Sequence, residues 1–529
     1  MRTSLSSFIL ILKSLSLLLF LAAANSIHAT DLSKSSLIPK PVTVKSTGGF
    51  FELISSSAIH ISDKQPELIP VAQYLANQLN PATGYNFTVQ VSEVLPAVNA
   101  ILLEINDTIR QLGQEGYTLQ ITKEIVRISA NTPEGIFRAI QTIRQLLPAT
   151  IESNILQKGP WMMATGTITD YPTYAYRGAM LDVARHFFGV EDVKRFIDLI
   201  AMYKMNVLHL HLADDQGWRI EIKSWPALTE IGSTTQVGGG KGGYYTQEDY
   251  KGLVQYAADR FITIVPEIDM PGHTNAALAS IPELNPDNKP TSLYTGMKVG
   301  FSTLQTNKEF TYQFLNDLFR ELAAMTPGPY IHVGGDESHV TKKEDYIPFI
   351  ERVQEIVNAN GKLMIGWDET TQSALKSTTV AQYWSKAENA TRGVAKGVKI
   401  IMSPAAKAYL DMKYNTKTKL GLHWAGYIEV DAGYNWDPAT LVPGIKKENI
   451  LGVEAPLWSE TVTNINEIES LLFPRLPGYA EIGWTAGSQR SWEEYKIRLG
   501  HQAERFKIMG IDYYPSVKVP WKKVKQAPN

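Results

Sequence analysis

The 529-residue chain has no cysteine. Disulfides, thiolate metal sites and a lipid-bearing cysteine at a leader cleavage point are therefore excluded. It also lacks a surplus of either charge. Its 51 basic and 53 acidic residues give a formal net charge of -2, so the basic surface that nucleic acid requires is missing. The basic stretch "VKVPWKKVK" near the end is short and reads as solvated. The uninterrupted apolar run after Lys13 is short for a bilayer, and no comparable run follows. No Gly-rich phosphate loop follows a predicted strand, which argues against an open dinucleotide-binding sheet.

What is present is a 44% hydrophobic composition, enough for a large core and about two to four domains. Arg2 and Lys13 precede "LSLLLFLAAA" and then "NSIHA". A positive region, an apolar region and a small residue make an export signal over 1–29, cut after Ala29 or alternatively after Ala24. An exported chain of this size without cysteine points to a bacterial periplasm or external medium. After cleavage it is expected to have no membrane partner.

Residues 30–166 read as a small α+β domain. "GYTLQITKEIVRISA" alternates as a hairpin does, with Tyr117, Leu119 and Ile121 on one parity. "TPEGIFRAIQTIRQLLP" spaces Ile136, Ile140, Ile143 and Leu147 as a helix does, until Pro148 stops it. In 167–529 short apolar strands alternate with amphipathic helices such as "VEDVKRFIDLIAMYKMN". Eight such units predict a (β/α)8 barrel, an α/β fold whose active site lies at the C-terminal ends of its strands.

Those ends read "ARH", "ADDQGW", "PEIDMPGH", "GGDE", "GWDE", "YWS" and "LWSE". In "YIHVGGDE" strand parity sends Asp336 and Glu337 to opposite faces, so the strand is expected to end between them. Gly334 and Gly335 would permit close approach of a ligand or of other backbone. Adjacent carboxylates keep one protonated near neutrality, as a general acid requires. In "VLHLHLADD" the leucines would face the outer helices and His209 and His211 the barrel interior. His209 reads as a core histidine, although His-x-His also admits a metal-dependent hydrolase. Asp214 and Asp215 stand at that strand end. His273, beyond Asp269, suits either tuning of an acid or a loop hydrogen bond. Trp367, Trp384 and Trp458 end three strands and together suggest a wall for the apolar face of a sugar. Trp218 and Trp225 read as loop anchors.

With these motifs together, in order "RGAMLDVARHF", "HLHLADDQGWRIEI", "PEIDMPGHT", "HVGGDE", "GWDE" and "LWSE", the chain from about Leu37 to about Gly510 resembles glycoside hydrolase family 20, the β-N-acetylhexosaminidases. The resemblance implies an exo-acting, substrate-assisted retaining glycosidase that needs no cofactor or metal. Its partner would be an oligosaccharide or glycoconjugate ending in N-acetylhexosamine. It implies that Glu337 is the general acid/base and that Asp336 orients the 2-acetamido group. Arg177 and Glu460 would bind sugar hydroxyls, and Trp367, Trp384 and Trp458 would line the acetamide pocket and sugar platform. Tyr409 and Asp411 would hold the acetamide, Asp214 and His273 would support Glu337, and His186 would stand behind the site. The departure is Glu454 in "GVEAP", where many relatives carry glutamine; a changed pH response or subsite preference would follow. A sugar-binding barrel without catalysis is the remaining alternative.

Overall fold

The computed structural model describes residues 31–522. The expected leader over 1–29 lies outside them. The described chain forms two compact units, the first holding the residues before 173 together with 497–510, the second 173–496 with 511–520. No helix among the described residues is long and apolar enough to cross a membrane.

The first unit is a seven-stranded mixed sheet with helices. Its strands are β1 (Thr43–Leu53), β2 (Ala58–Ser62), β3 (Val89–Ser92), β4 (Ala100–Ile105), β5 (Tyr117–Ile121), β6 (Ile125–Ala130) and β7 (Trp161–Asp170). They lie in the order β1-β7-β5-β6-β4-β2-β3. The hairpin read from alternation is β5–β6, with Tyr117, Leu119 and Ile121 buried. The helix Pro133–Leu146 starts at Thr132, whose hydroxyl accepts from the Gly135 N–H, a Ser/Thr-type N-cap. The expected boundary at 166/167 falls inside β7, and the first unit runs on to Pro172.

The second unit is a closed parallel barrel of all eight expected strands: β8 (Tyr176–Asp182), β9 (Val207–His211), β10 (Thr263–Glu267), β11 (Tyr330–His332), β12 (Leu363–Trp367), β13 (Val380–Tyr383), β14 (Lys399–Met402) and β15 (Ile450–Leu457). In the helix Val190–Met202, between β8 and β9, Val193, Phe196, Ile197 and Ile200 are buried, as their spacing predicts.

The interior is filled in layers, as small barrels require. Tyr176, Val207, Val265, Ile365, Val380 and Ile401 form an apolar layer at the strand entrances. One step along each strand the lining turns polar: His209, Glu267, His332, Gln382 and Glu454 are all fully buried or nearly so. Above them Met180, Trp367, Tyr409 and Trp458 form an aromatic cluster towards the strand exits.

The polar layer is held together by hydrogen bonds and ion pairs among its own members. Glu454 accepts from the Tyr176 hydroxyl at 2.5 Å, from Gln382 Nε2 at 2.6 Å and from His209 Nδ1 at 2.8 Å. His209 Nε2 lies 3.0 Å from Glu267, which also pairs with His211 Nδ1 at 2.5 Å and accepts from Trp367 Nε1 at 2.9 Å. Glu454 thus stands deep in the barrel, as a counter-charge to His209.

Candidate active site

The loop after β11 organises the site. Gly334, Gly335 and Glu337 have φ of 63°, 100° and 44°. Left-handed backbone cannot continue a strand, so β11 ends at His332 and not between Asp336 and Glu337 as expected. The glycines make room for protein rather than directly for a ligand. A Cβ on Gly334 would come within 1.8 Å of Asp269 Oδ1, and one on Gly335 within 2.6 Å of the Thr370 methyl. Gly335 N–H then donates to Asp269 Oδ1 at 3.0 Å, fixing the turn that presents both carboxylates.

Asp336 and Glu337 line a cavity of about 210 Å³ at the strand exits. His273 Nε2 lies between them, 3.8 Å from Asp336 Oδ2 and 3.6 Å from Glu337 Oε2. Its Nδ1 lies 3.1 Å from Asp214 Oδ1. Asp214 Oδ2 in turn meets Arg185 at 2.8 Å and His211 Nε2 at 3.0 Å. Asp214 was expected to support Glu337 through His273, with Asp215 as the other candidate for that aspartate. Asp214 is almost fully buried and stands behind His273, with protein side chains and the Asp215 N–H as its partners. Asp215, the other candidate, is turned away, accepting from Ser302 and the Asn275 N–H.

The two carboxyls are driven apart in acidity. Burial raises the Asp336 pKa to about 6, with the Glu337 charge adding to the shift and His273 opposing it. Burial also pushes Glu337 up, but the His273 imidazolium 3.6 Å away outweighs it and holds Glu337 below the ordinary value. His273 is itself held well above its usual pKa by Asp214, against the effect of burial. Without substrate, then, the mobile proton sits on the imidazole, poised over Glu337. Asp269, buried and beside Asp336, is held well above the carboxylate range and hydrogen-bonds to it.

Aromatic rings form the walls. Trp384 stacks with Tyr409 at 6.4 Å, and Tyr409 lies 6.2 Å from Trp458. Trp384 and Trp458 line the cavity with Tyr409, but Trp367 does not. It is fully buried behind Trp458, at 5.9 Å, with its N–H committed to Glu267. Glu460 lines the cavity with one buried oxygen lacking a partner, and burial raises its pKa. Asp411 is buried just beyond, with neither oxygen in a well-aligned hydrogen bond and its pKa raised by burial and by Glu460. Such orphaned acceptors suit a ligand that brings N–H and O–H donors. His186 backs the site, its Nδ1 2.7 Å from the Ser459 carbonyl.

Arg177 is the expectation that fails. It is the second residue of β8, at the strand entrance, and spends its guanidinium on the carbonyls of Lys204 and Tyr174. The arginine in the cavity is Arg185, beyond the exit of the same strand, 4.8 Å over the Trp458 ring. The exit rule applied to "ARH" would have found it. Trp424, Met297 and Val299 also line the cavity from loops without a motif, and no sequence signal marked them. Trp218 and Trp225 are loop anchors, the first bonded to the Ile220 carbonyl and the second packed on Phe310 and Phe314.

Among the described residues, three clusters bring enough ligand atoms together for a cation: His209–Glu267–His332, Asp214–Asp269–His273 and His273–Asp336–Glu337. A hydrolytic metal needs a position open to substrate. His209 and His211 face the barrel interior and neither reaches the cavity.

Glycosyl hydrolase family 20, catalytic domain, matches residues 174–487, and domain 2 of the same family matches 34–171. The chain belongs to glycosyl hydrolase family 20. Among the family's members, the β-N-acetylhexosaminidase of Cellulomonas fimi is 40% identical over 488 residues, covering 92% of this chain and 97% of that protein. The family 20 β-N-acetylhexosaminidase of Streptomyces coelicolor superposes with a TM-score of 0.89 at 47% identity, covering 92% of this chain and 99% of that one. The N-acetyl-β-hexosaminidase of Streptomyces plicatus, solved with Thio-NAglucal, gives the same score and identity over 92% of this chain and 98% of its own.

Proposed function

We propose that the protein is an exo-acting β-N-acetylhexosaminidase, removing terminal non-reducing β-linked N-acetylglucosamine or N-acetylgalactosamine with retention of configuration. The observation that carries this reading is that Asp336 and Glu337 both stand close to one imidazole nitrogen, at 3.8 and 3.6 Å, in an aromatic-walled pocket. A conventional retaining glycosidase sets acid and nucleophile on opposite sides of the bond, ~5–5.5 Å apart; family 20 is a recognised exception that uses the substrate's own group. Adjacent carboxylates on one loop suit that exception.

The sugar ring stacks on Trp458, with Arg185 and Glu460 gripping its hydroxyls. Its acetamide enters the space bounded by Trp384 and Tyr409, with Asp411 and Asp336 towards its N–H. The acetamide carbonyl oxygen attacks the anomeric carbon. The glycosidic C–O bond breaks, and Glu337 gives its proton to the leaving oxygen. The positive charge of the resulting oxazolinium ring faces Asp336. Water then attacks the same carbon, returns a proton to Glu337 and reopens the ring to a β product. Having the attacking group within the substrate removes much of the entropy cost.

Glycosides lacking the 2-acetamido group should therefore be nearly inert, and a thiazoline mimic of the cyclic intermediate should bind far more tightly than product. The test is a slow 2-deoxy-2-fluoroglucoside followed by intact-protein mass spectrometry, beside turnover of plain aryl glucosides. A sugar adduct on Asp336 together with fast glucoside turnover overturns the reading. The export signal expected over 1–29 supports action in the periplasm or medium, which cell fractionation of the producing bacterium would check.

A further inference from the structure

Glu337 is a wall shared by two cavities. The second, of about 300 Å³, opens on its other side and is lined by Ser338, His339, Lys343, Glu369 and Lys386 among others. The lysines come from different loops: Lys343 opens the helix Lys343–Ala359 after β11, and Lys386 follows β13. Both are exposed, and among the described residues neither ammonium has an ion-pair or hydrogen-bond partner. Some surface lysines pair with nearby carboxylates, as Lys376 does with Glu355 at 2.6 Å and Lys194 with Glu191 at 2.8 Å; Lys343 and Lys386 do not.

The carboxyls of the second cavity do not neutralise the lysines. Glu369 accepts from Trp384 Nε1 at 3.0 Å, and burial with the neighbouring Asp368 charge holds its carboxyl well above the usual range. Glu337, the cavity's other carboxyl, faces His273 at 3.6 Å. The cavity thus holds two unpaired lysine side chains beside the acid. It also adjoins the residue that protonates the bridging oxygen, the point at which the leaving residue begins.

We propose that this second cavity receives the leaving residue and selects one bearing a carboxylate, held by Lys343 and Lys386. The inference rests on the hexosaminidase reading above and adds a substrate class to it: N-acetylhexosamine linked to an acidic sugar, with the charge on either a lactyl ether or a uronic acid.

The experiment measures kcat/KM on N-acetylglucosamine β-1,4-linked to N-acetylmuramic acid, on the methyl ester of that disaccharide, on the corresponding glucuronic acid disaccharide with its ester, and on diacetylchitobiose. Wild type and the Lys343→Ala/Lys386→Ala double variant are compared. An acid-over-ester preference of about three- to tenfold at low salt, falling at high salt, is expected for wild type. In the double variant the ratio should fall to about one, with chitobiose turnover unchanged. The acid pair with the larger ratio identifies the source of the carboxylate. An acid-to-ester ratio near one for both pairs in wild type, or a ratio untouched by the double substitution, overturns the inference while chitobiose turnover leaves the hexosaminidase reading standing. Failure of wild type to hydrolyse any of the N-acetylhexosaminides overturns that reading instead.

Discussion

Glu337 and Asp336 differ in what they need from their surroundings, and substitutions should separate them. Glu337→Gln removes the proton donor and leaves the shape. It should lower kcat roughly 10²–10⁴-fold on a poor leaving group, and much less on an activated phenol that departs with little protonation. Equal losses on both would contradict the assignment. Arg185→Ala should raise KM and lower kcat/KM by an order of magnitude or more, because a buried cation over the sugar platform is lost. Arg177→Ala should instead lower Tm by several degrees and unfold the enzyme earlier in urea, since its guanidinium braces backbone carbonyls at the barrel floor. Both arginines lie near one strand, so residue type alone could not choose between them. Position along β8 decides: a side chain at the entrance cannot reach a cavity at the exit.

The element that matters most is the turn after β11. Gly334→Ala forces a side chain into left-handed backbone and into the Asp269 carboxylate. The backbone cost alone is roughly 1–2 kcal/mol, and the displaced Asp269 no longer fixes the Gly335 N–H or meets Asp336. A folded variant with lower Tm and at least tenfold lower kcat is expected, measurable by thermal melting and initial rates. Eight strands were legible because each is a short apolar run set between amphipathic helices. Their lengths were less so. β11 is three residues long because two left-handed glycines stop it, and a glycine's φ is not written in its letter. The indoles were legible as a group, but not which of them faces the cavity. Trp367 ends its strand as expected, yet Glu267, two strands away, draws its N–H inward.

Across the whole second unit, opposite charges follow one another from the barrel core to the site. Glu454 is held low by His209, and Glu267 low by its histidines, each against burial. Burial acts to lower His209 and His211, but the facing carboxylates raise them to about 10 and about 9. Arg185 and His273 keep Asp214 ionised. A sequence shows these groups as separate letters on six strands and loops, so their joining could not be read from spacing. Activity should follow the last members of the row. Asp336 must be ionised to face the oxazolinium charge, and its pKa is raised to about 6, so kcat/KM should fall as pH drops through about 6. Asp336→Asn should remove that acid limb from the residual rate; an unchanged limb would assign it elsewhere.

The same row has a spectroscopic consequence. The N–H of His211 towards Glu267 is short, at 2.5 Å, and closed to water on every side. Imidazole protons so placed are deshielded by the oxygen they approach and released to solvent only when the barrel opens. A proton NMR spectrum in ordinary water should therefore show sharp lines far downfield of the amides. They should persist at neutral pH and vanish one at a time as His209 or His211 is replaced by glutamine. Their disappearance on warming would report the opening of the barrel's middle, as distinct from fraying at its periphery.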